Sequence, residues 1–433
     1  MLAYFVNFKA GLAFGGSGQA FEPVPVNGER VPPACLYVNA GGHYWALKKS
    51  LCAEVNSAVK EAEPLKECLP VSEGLILELK NFPPKFGRES AKLGGDALHS
   101  VLAKSALPAQ LRLLRKKRGD VRSFRFALVN GLGMNLGDTL VGLTALRVAH
   151  RVMEMELQAA VSFDFLLGVG TNDYVVDLIG QAGFPGRVFR QNRTVAEFSE
   201  YDGFFDFSNL IHYARYKELP AVDWFLWWLG LDYELVPPQW KRNQLVCDEA
   251  KVTYFHEKLK ALLHERQQSR AIYFNPQAST PLRSFPEKQA LAFVQSLAEL
   301  RPDWLWLSDQ KLAESSDVLV SVQAEPHGVA DHIALQAACH GMVTVDTFSL
   351  HVADALHKPC VALCSSVPAN YFRYYETVRG MDIPGMSLLP GYGASKVTQE
   401  QWQTMSESYA QAWSELSPES VIQALEHKFF SSR

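Results

Sequence analysis

The chain has 433 residues, 48% of them hydrophobic and 20% charged, with a formal net charge of −4. That length exceeds one ordinary core, so two or three domains are expected, and the near-neutral balance gives no field of the kind that gathers nucleic acid. Seven scattered cysteines fit reduced thiols rather than a disulfide framework, and no apolar run reaches the ~20 residues that span a bilayer.

The opening MLAYFVNFKAGLAFGG has no basic residue ahead of its apolar stretch, and Lys9 interrupts that stretch. This is not a signal-sequence pattern, so a cytoplasmic location is expected. Residues 1–122 read as an N-terminal accessory domain of mixed character. FEPVPVNGERV and ACLYVNAGGHYW indicate short strands and turns, and the part from ALKKSLCAEVNSAVKEAE onward is more helical. Cys35, Cys52 and Cys68 lack the paired short spacing of a zinc site. RLLRKKRGDVR, residues 112–122, reads as a solvated helix end or linker, the alternative being a patch for an anionic acceptor or a membrane surface.

From residue 123 strands alternate with helices, the pattern of parallel α/β layers. Residues 123–245 form a first Rossmann-like lobe: the strand SFRFALVN, the helix TLVGLTALRVAHRV over 139–152, the strand AAVSFDFLL, and the helix NDYVVDLIGQAG with Gly183 at its C-terminal end. GRVFRQ and FFDFSNL add strands. WFLWWLGL, residues 224–231, reads as a buried helix, with contact to a lipid-linked acceptor as the alternative.

Residues 246–433 form a second such lobe. The helical DEAKVTYFHEKLKALLHERQQ connects into RAIYFNP, followed by the helix PEKQALAFVQSLAEL, strands DWLWLS and DVLVSV, the helix DHIALQAACHG, the strand MVTVD, the helix SLHVADALH and the strand CVALC. Cys360 and Cys364 sit in that last strand and read as core packing. In LSPESVIQALEHKFF, Ser417 can cap a final helix with Pro418 at its first position.

Three stretches can carry chemistry. In NGLGMNLGDTLVGLTALR, residues 130–147, Gly131, Gly133 and Gly137 make G-x-G-x-x-x-G, close to the dinucleotide fingerprint. That fingerprint needs an acid about 20 residues on, and Asp164 falls in mid-strand. Asp138 is then either the N-cap of a helix beginning at Thr139 or a carboxylate at the rim of a cleft. In YFNPQASTPLRSFP, residues 273–286, Asn275, Ser279, Thr280 and Arg283 precede a helix start, a set suited to a phosphate or to a plain polar loop. In VTVDTFSLHVADALHKPCVAL, residues 343–363, Asp346, Thr347 and His351 meet at another strand-to-helix crossing.

In order and spacing the three stretches resemble the heptosyltransferase family, glycosyltransferase family 9, over residues 123–433. The matching text is G-D-T-L-V-G-L-T-A-L-R at 137–147, P-Q-A-S at 276–279 with R-S-F-P at 283–286, and D-T-F-S-L-H-V-A-D-A-L at 346–356. The resemblance implies a GT-B fold, two Rossmann-like lobes facing a cleft, and inverting, metal-independent transfer of a heptose-like sugar from a nucleotide diphosphate such as ADP-heptose. It implies Asp138 as general base on a loop with Asn135 and Gly137, and donor binding by Asn275, Ser279, Thr280, Arg283, Asp346, Thr347 and His351. The acceptor would be a lipopolysaccharide-type glycan, which would bring the enzyme to the inner face of the membrane, or a protein. Relatives that modify autotransporter proteins carry an extra N-terminal domain and a cysteine-bound iron near the C-terminal end. No cysteine follows Cys364, so no metal and no cofactor are expected.

Phe348 and Ser365 stand where the family has glycine, and Arg283 where it has lysine. These departures keep a second expectation open, a sugar-nucleotide-binding or scaffold protein without turnover. A nicotinamide-dependent oxidoreductase rests on the glycine spacing alone.

Overall fold

The computed structural model describes residues 106–129, 131–133, 135–167, 171–190, 200–207, 219–309, 318–322, 328–394 and 397–431, with short strands elsewhere in the first 200 residues. They form two compact units: residues 1–216 with 222–237, and residues 217–221 with 238–433.

The first unit contains short strands β1 (Phe5–Val6), β2 (Ala34–Val38), β3 (Tyr44–Lys48), β4 (Cys68–Pro70) and β5 (Lys85–Phe86). β2, β3 and β4 pair antiparallel in that order. The helical expectation from Ala46 onward fails at its start, because Ala46 and Leu47 pair across the ladder with Leu36 and Cys35; the rest of it lies outside the described residues. Helix α1 (Ala106–Arg118) buries Leu107, Leu111 and Leu114, one stripe at helical spacing. Its basic last turn, from Arg115 to Arg118, is the expected helix end; Arg118 there pairs with Asp202 at 3.0 Å, and Arg112, a turn earlier, pairs with Glu156 at 3.0 Å. The more exposed Arg112–Glu156 pair contributes about 0–1 kcal/mol.

There follow β6 (Ser123–Val129), α2 (Leu136–Leu157), β7 (Ala160–Leu166), α3 (Asp173–Gln181), β8 (Val188–Phe189), β9 (Arg193–Thr194) and β10 (Gly203–Asp206). Strands β5-β10-β6-β7-β8 form a sheet in that order with every pair parallel. Gly183, just past α3, takes φ +74, the left-handed turn that glycine makes at low cost. Helix α4 (Ala221–Trp228) has Trp224, Phe225, Trp227 and Trp228 buried, with Trp224 stacked on Trp227 at 4.6 Å. An acceptor-contacting role for this helix is therefore overturned: its rings are core, each worth ~1.5–3 kcal/mol of burial.

The second unit runs α5 (Glu249–Glu265), β11 (Arg270–Asn275), α6 (Glu287–Leu300), β12 (Trp304–Ser308), β13 (Leu319–Ser321), α7 (Val329–Ala338), β14 (Gly341–Val345), α8 (Phe348–Ala355), β15 (Cys360–Cys364), β16 (Val378–Asp382), α9 (Gln399–Ser414) and α10 (Pro418–Ser431). Its strands lie in the order β13-β12-β11-β14-β15-β16, all parallel. Along β11, Ile272 and Phe274 join one core, and Ala271 and Tyr273 the other. A strand covered on both faces has to be apolar throughout, which is why RAIYF shows no polar alternation. Ser417 caps α10 as expected, accepting from the Ser420 N–H at 3.0 Å. Cys360 and Cys364 are core residues, their thiols pushed well up by burial.

This strand order is that of the doubly wound dinucleotide-binding fold, in which the winding reverses between the first and fourth strands. Here those strands are β11 and β14. Ligands bind such sheets at the carboxyl ends of the strands that flank the reversal, which directs attention to Asn275 and Asp346.

Candidate active site

The segment after β11 is a stiff loop. The Asn275 side chain accepts from the Gln277 N–H at 3.1 Å, and the Ser284 hydroxyl accepts from the Ala278 N–H at 3.0 Å while donating to the Thr280 carbonyl at 2.9 Å. The Phe285 N–H closes back on the Pro276 carbonyl at 2.8 Å, and the Phe285 ring stacks on Trp413 at 4.1 Å. From the end of β15, two strands over from β11, the Ser365 hydroxyl donates to the Leu282 carbonyl at 2.8 Å. Ser365 thus anchors the residue that precedes Arg283.

Arg283 leaves this loop toward the turn after β14. Its Nη2 donates to the Ser279 hydroxyl at 2.6 Å, and its Nη1 lies 3.7 Å from the Asp346 carboxylate. The Arg283 side chain is 29% exposed and that of Asp346 is 10% exposed, so the carboxylate is the more buried partner and the guanidinium stays partly accessible. A guanidinium presents planar N–H donors, matched to phosphate or carboxylate oxygens. Ser279 and Thr280 also line a cavity of about 380 Å³ with Gln277, Glu287 and Trp402. The Thr280 hydroxyl oxygen is buried without a hydrogen-bond partner.

Thr347 is the N-cap of α8, extended at φ −152, and its side chain makes no capping bond. The first N–H groups of α8 thus have no side-chain cap at Thr347, next to Asp346, which is the polarity an anion prefers. His351 is buried in α8 and its Nδ1 meets the Tyr375 hydroxyl at 2.8 Å. Burial, with Arg283 nearby, pushes its pKa down to about 3, so it is a neutral imidazole at ordinary pH.

Of the expected donor residues, the contacts above join Ser279, Arg283 and Asp346. Asn275 is almost fully buried and gives its amide to Ser349 at 2.9 Å, which ties the end of β11 to α8. Sequence reasoning passed over Ser349, its partners His332 and Gln336, and Asp309, which bonds His332. Their one trace was two polar residues four apart, His332 and Gln336, in the helical run DHIALQAACHG.

Asp138, Asn135 and Gly137 belong to the first unit. Helix α2 begins at Leu136 rather than at Thr139: Asn135 is its N-cap, and the Thr139 N–H donates to the Asn135 carbonyl at 2.9 Å. The N-cap expectation for Asp138 is therefore corrected; it stands in the first helical turn, where the helix dipole favours a carboxylate. Asn135 Nδ2 approaches its Oδ2 at 3.4 Å.

The glycines before it have local reasons. Gly131 and Gly133 take φ +65 and +122, and a Cβ on Gly133 would come 2.5 Å from the Cβ of Asp138. Asp164, the acid a dinucleotide site would need at a ribose, is instead buried in β7, bonded to Arg125, to the Tyr201 hydroxyl at 2.8 Å and to the Arg187 N–H at 2.9 Å. The observed glycine geometry makes room for Asp138, and Asp164 is engaged inside the lobe.

No protein-family model and no curated protein matches the chain. Solved structures do. The ADP-heptose lipopolysaccharide heptosyltransferase II of E. coli is 14% identical, over 71% of this chain and 99% of that one, with a TM-score of 0.48. A glycosyl transferase family 9 protein from Veillonella parvula is 13% identical, over 72% of this chain and 98% of that one, at 0.47. The iron-containing dodecameric glycosyltransferase TibC from enterotoxigenic E. coli is 12% identical, over 72% and 77%, at 0.43. These three structural neighbours are described as heptosyltransferases or family 9 glycosyltransferases. Among the described residues, no group of three His, Cys, Asp or Glu side chains is arranged to hold a metal ion, and no helix is long and apolar enough to cross a membrane.

Proposed function

We propose that the chain is an inverting glycosyltransferase that moves a heptose-like sugar from a nucleoside diphosphate donor, ADP-heptose or a close analogue, to a glycan or protein acceptor. The observation that carries this reading is the Arg283 guanidinium, braced by Ser279 and Asp346 beside the first turn of α8, at the reversal point of the second sheet. A departing diphosphate gains negative charge as the sugar leaves, and a fixed cation with helix-start N–H groups stabilises that charge without waiting for water to reorganise. With Arg283 and those N–H groups the reading requires no metal.

Asp138 is the general base in this reading. It takes the proton of the acceptor hydroxyl as that oxygen attacks the anomeric carbon from the face opposite the diphosphate, so one bond forms as the other breaks and the configuration inverts. Thr280 and Thr347 supply hydroxyl donors to the diphosphate. Tyr375 donates to Nδ1 of neutral His351, which places the remaining ring hydrogen on Nε2 for a phosphate or sugar oxygen.

A second reading, nucleotide binding without turnover, draws on Phe348. Its ring, standing where the family has glycine, is buried at the start of α8 and lies 6.0 Å from His332 at an angle of 19°. Thermal-shift titration with ADP, UDP, GDP and NAD, followed by donor turnover, separates the readings. Stabilisation by a nucleoside diphosphate with turnover supports the transferase, binding without turnover on any donor supports the second reading, and stabilisation by NAD alone sinks both.

A further inference from the structure

Under the first turn of α8 runs a line of buried hydrogen bonds that no step above uses. The Tyr273 hydroxyl donates to Asp309 at 2.7 Å, and His332 Nδ1 meets the other oxygen of the same carboxylate. His332 Nε2 meets the Ser349 hydroxyl at 3.1 Å and the Gln336 amide nitrogen at 2.6 Å. Ser349 also accepts from Asn275 at 2.9 Å and from Gln336 at 3.2 Å.

The directions follow from what each group can do. A carboxylate only accepts, so Nδ1 carries a ring hydrogen toward Asp309, while Nε2 faces the Ser349 hydroxyl and the Gln336 amide. The connectivity Asp309, His332, Ser349 is that of a nucleophile triad. Ser349, however, is fully buried and its oxygen already accepts two N–H groups, so it serves as a fixed post rather than a nucleophile. The post matters because Ser349 is the second residue of α8. The stack of Phe348 on His332 holds the first residue from the same ring.

We propose that His332 is a positioning residue of the diphosphate site: oriented by Asp309, it holds Phe348 by stacking and Ser349 by hydrogen bond, and so aims the first N–H groups of α8. This rests on the nucleoside diphosphate reading above. A first turn held by two contacts from one ring is fixed in direction, and a site loosened by even a fraction of an ångström loses directional bonds first.

The test is calorimetric titration of wild type, His332→Ala and Ser349→Ala with ADP, UDP and GDP and with the corresponding monophosphates. Ser349→Ala removes a single oxygen, and a melt of each variant confirms that it is folded. The expected result is that the preference of the wild type for diphosphate over monophosphate falls about tenfold in both variants, a loss of about one directional hydrogen bond. An unchanged preference overturns the inference, as does an equal loss of affinity for mono- and diphosphate, which is what a general loosening of the unit would give. A wild type with no preference for any diphosphate overturns the underlying reading and the inference with it.

Discussion

The Arg283 guanidinium stands 3.7 Å from the Asp346 carboxylate and so joins the loop after β11 to the turn after β14. Two strands adjacent in space but far apart in sequence thereby present one cation at the point where the winding reverses. Removing that cation by Arg283→Ala should weaken nucleoside diphosphate binding by 10- to 100-fold, on the order of 1.5–3 kcal/mol for a charge-assisted contact. Arg283→Lys should recover the charge but not the planar fork, and restore part of the affinity. Calorimetric titration of the three proteins checks the order.

Gly133→Ala should harm activity more than its exposure suggests. The backbone there is at φ +122, and the new Cβ would meet Asp138 at 2.5 Å. We expect a stability loss of ~1–3 kcal/mol and a fall in turnover with donor affinity unchanged. Gly119→Ala, at φ +69 with open space around it, is the control and should cost only about 1 kcal/mol with no change in turnover.

Ser365→Ala removes the bond to the Leu282 carbonyl and leaves a buried acceptor unpaired. Chemical denaturation should report a loss of ~1–3 kcal/mol. Donor affinity should fall as well, since the residue after Leu282 is Arg283. A variant with weakened stability and intact affinity would show that the loop keeps its shape without this anchor.

Two buried groups set opposite slopes of stability against pH. His351 has its pKa pushed down from 6.5 to about 3, chiefly by burial and then by Arg283, so the unfolded chain binds a proton that the folded one refuses. Its contribution is full above pH 6.5 and is lost as pH falls toward 3. Asp354, buried and accepting from the Asn243 backbone at 2.8 Å, has its pKa pushed up from 3.8 to about 7 by burial, against those hydrogen bonds. Its contribution is full below pH 3.8 and is lost as pH rises toward 7. Denaturation curves across this range should flatten on the acid side in His351→Gln and on the neutral side in Asp354→Asn, by at most about 1.4 kcal/mol per pH unit.

The alternation of elements from Ser123 onward was legible in the sequence because both sheets are parallel and covered by helices, which forces apolar strand runs such as WLWLS and CVALC. The pairing order was not legible, since it depends on contacts between segments such as Ile272 and Gly341 that no local pattern encodes. The start of α2 was misplaced by three residues because Asp138 resembles a cap, whereas Asn135 supplies the extended backbone that begins the helix. Ser279, Arg283 and Asp346 stood out as charged or hydroxyl groups at strand ends. Asp309, His332 and Ser349 did not, because they come from three elements and only the fold brings them together.

The central claim is that Asp138 removes a proton during sugar transfer while the donor is held by the second unit. It is tested most directly by the rate of ADP release from ADP-heptose by wild type and Asp138→Asn, with the affinity for ADP measured on both. The account predicts a rate lowered by roughly 10²–10⁴-fold with affinity unchanged, the usual worth of a general base. Equal rates in the two proteins would contradict it.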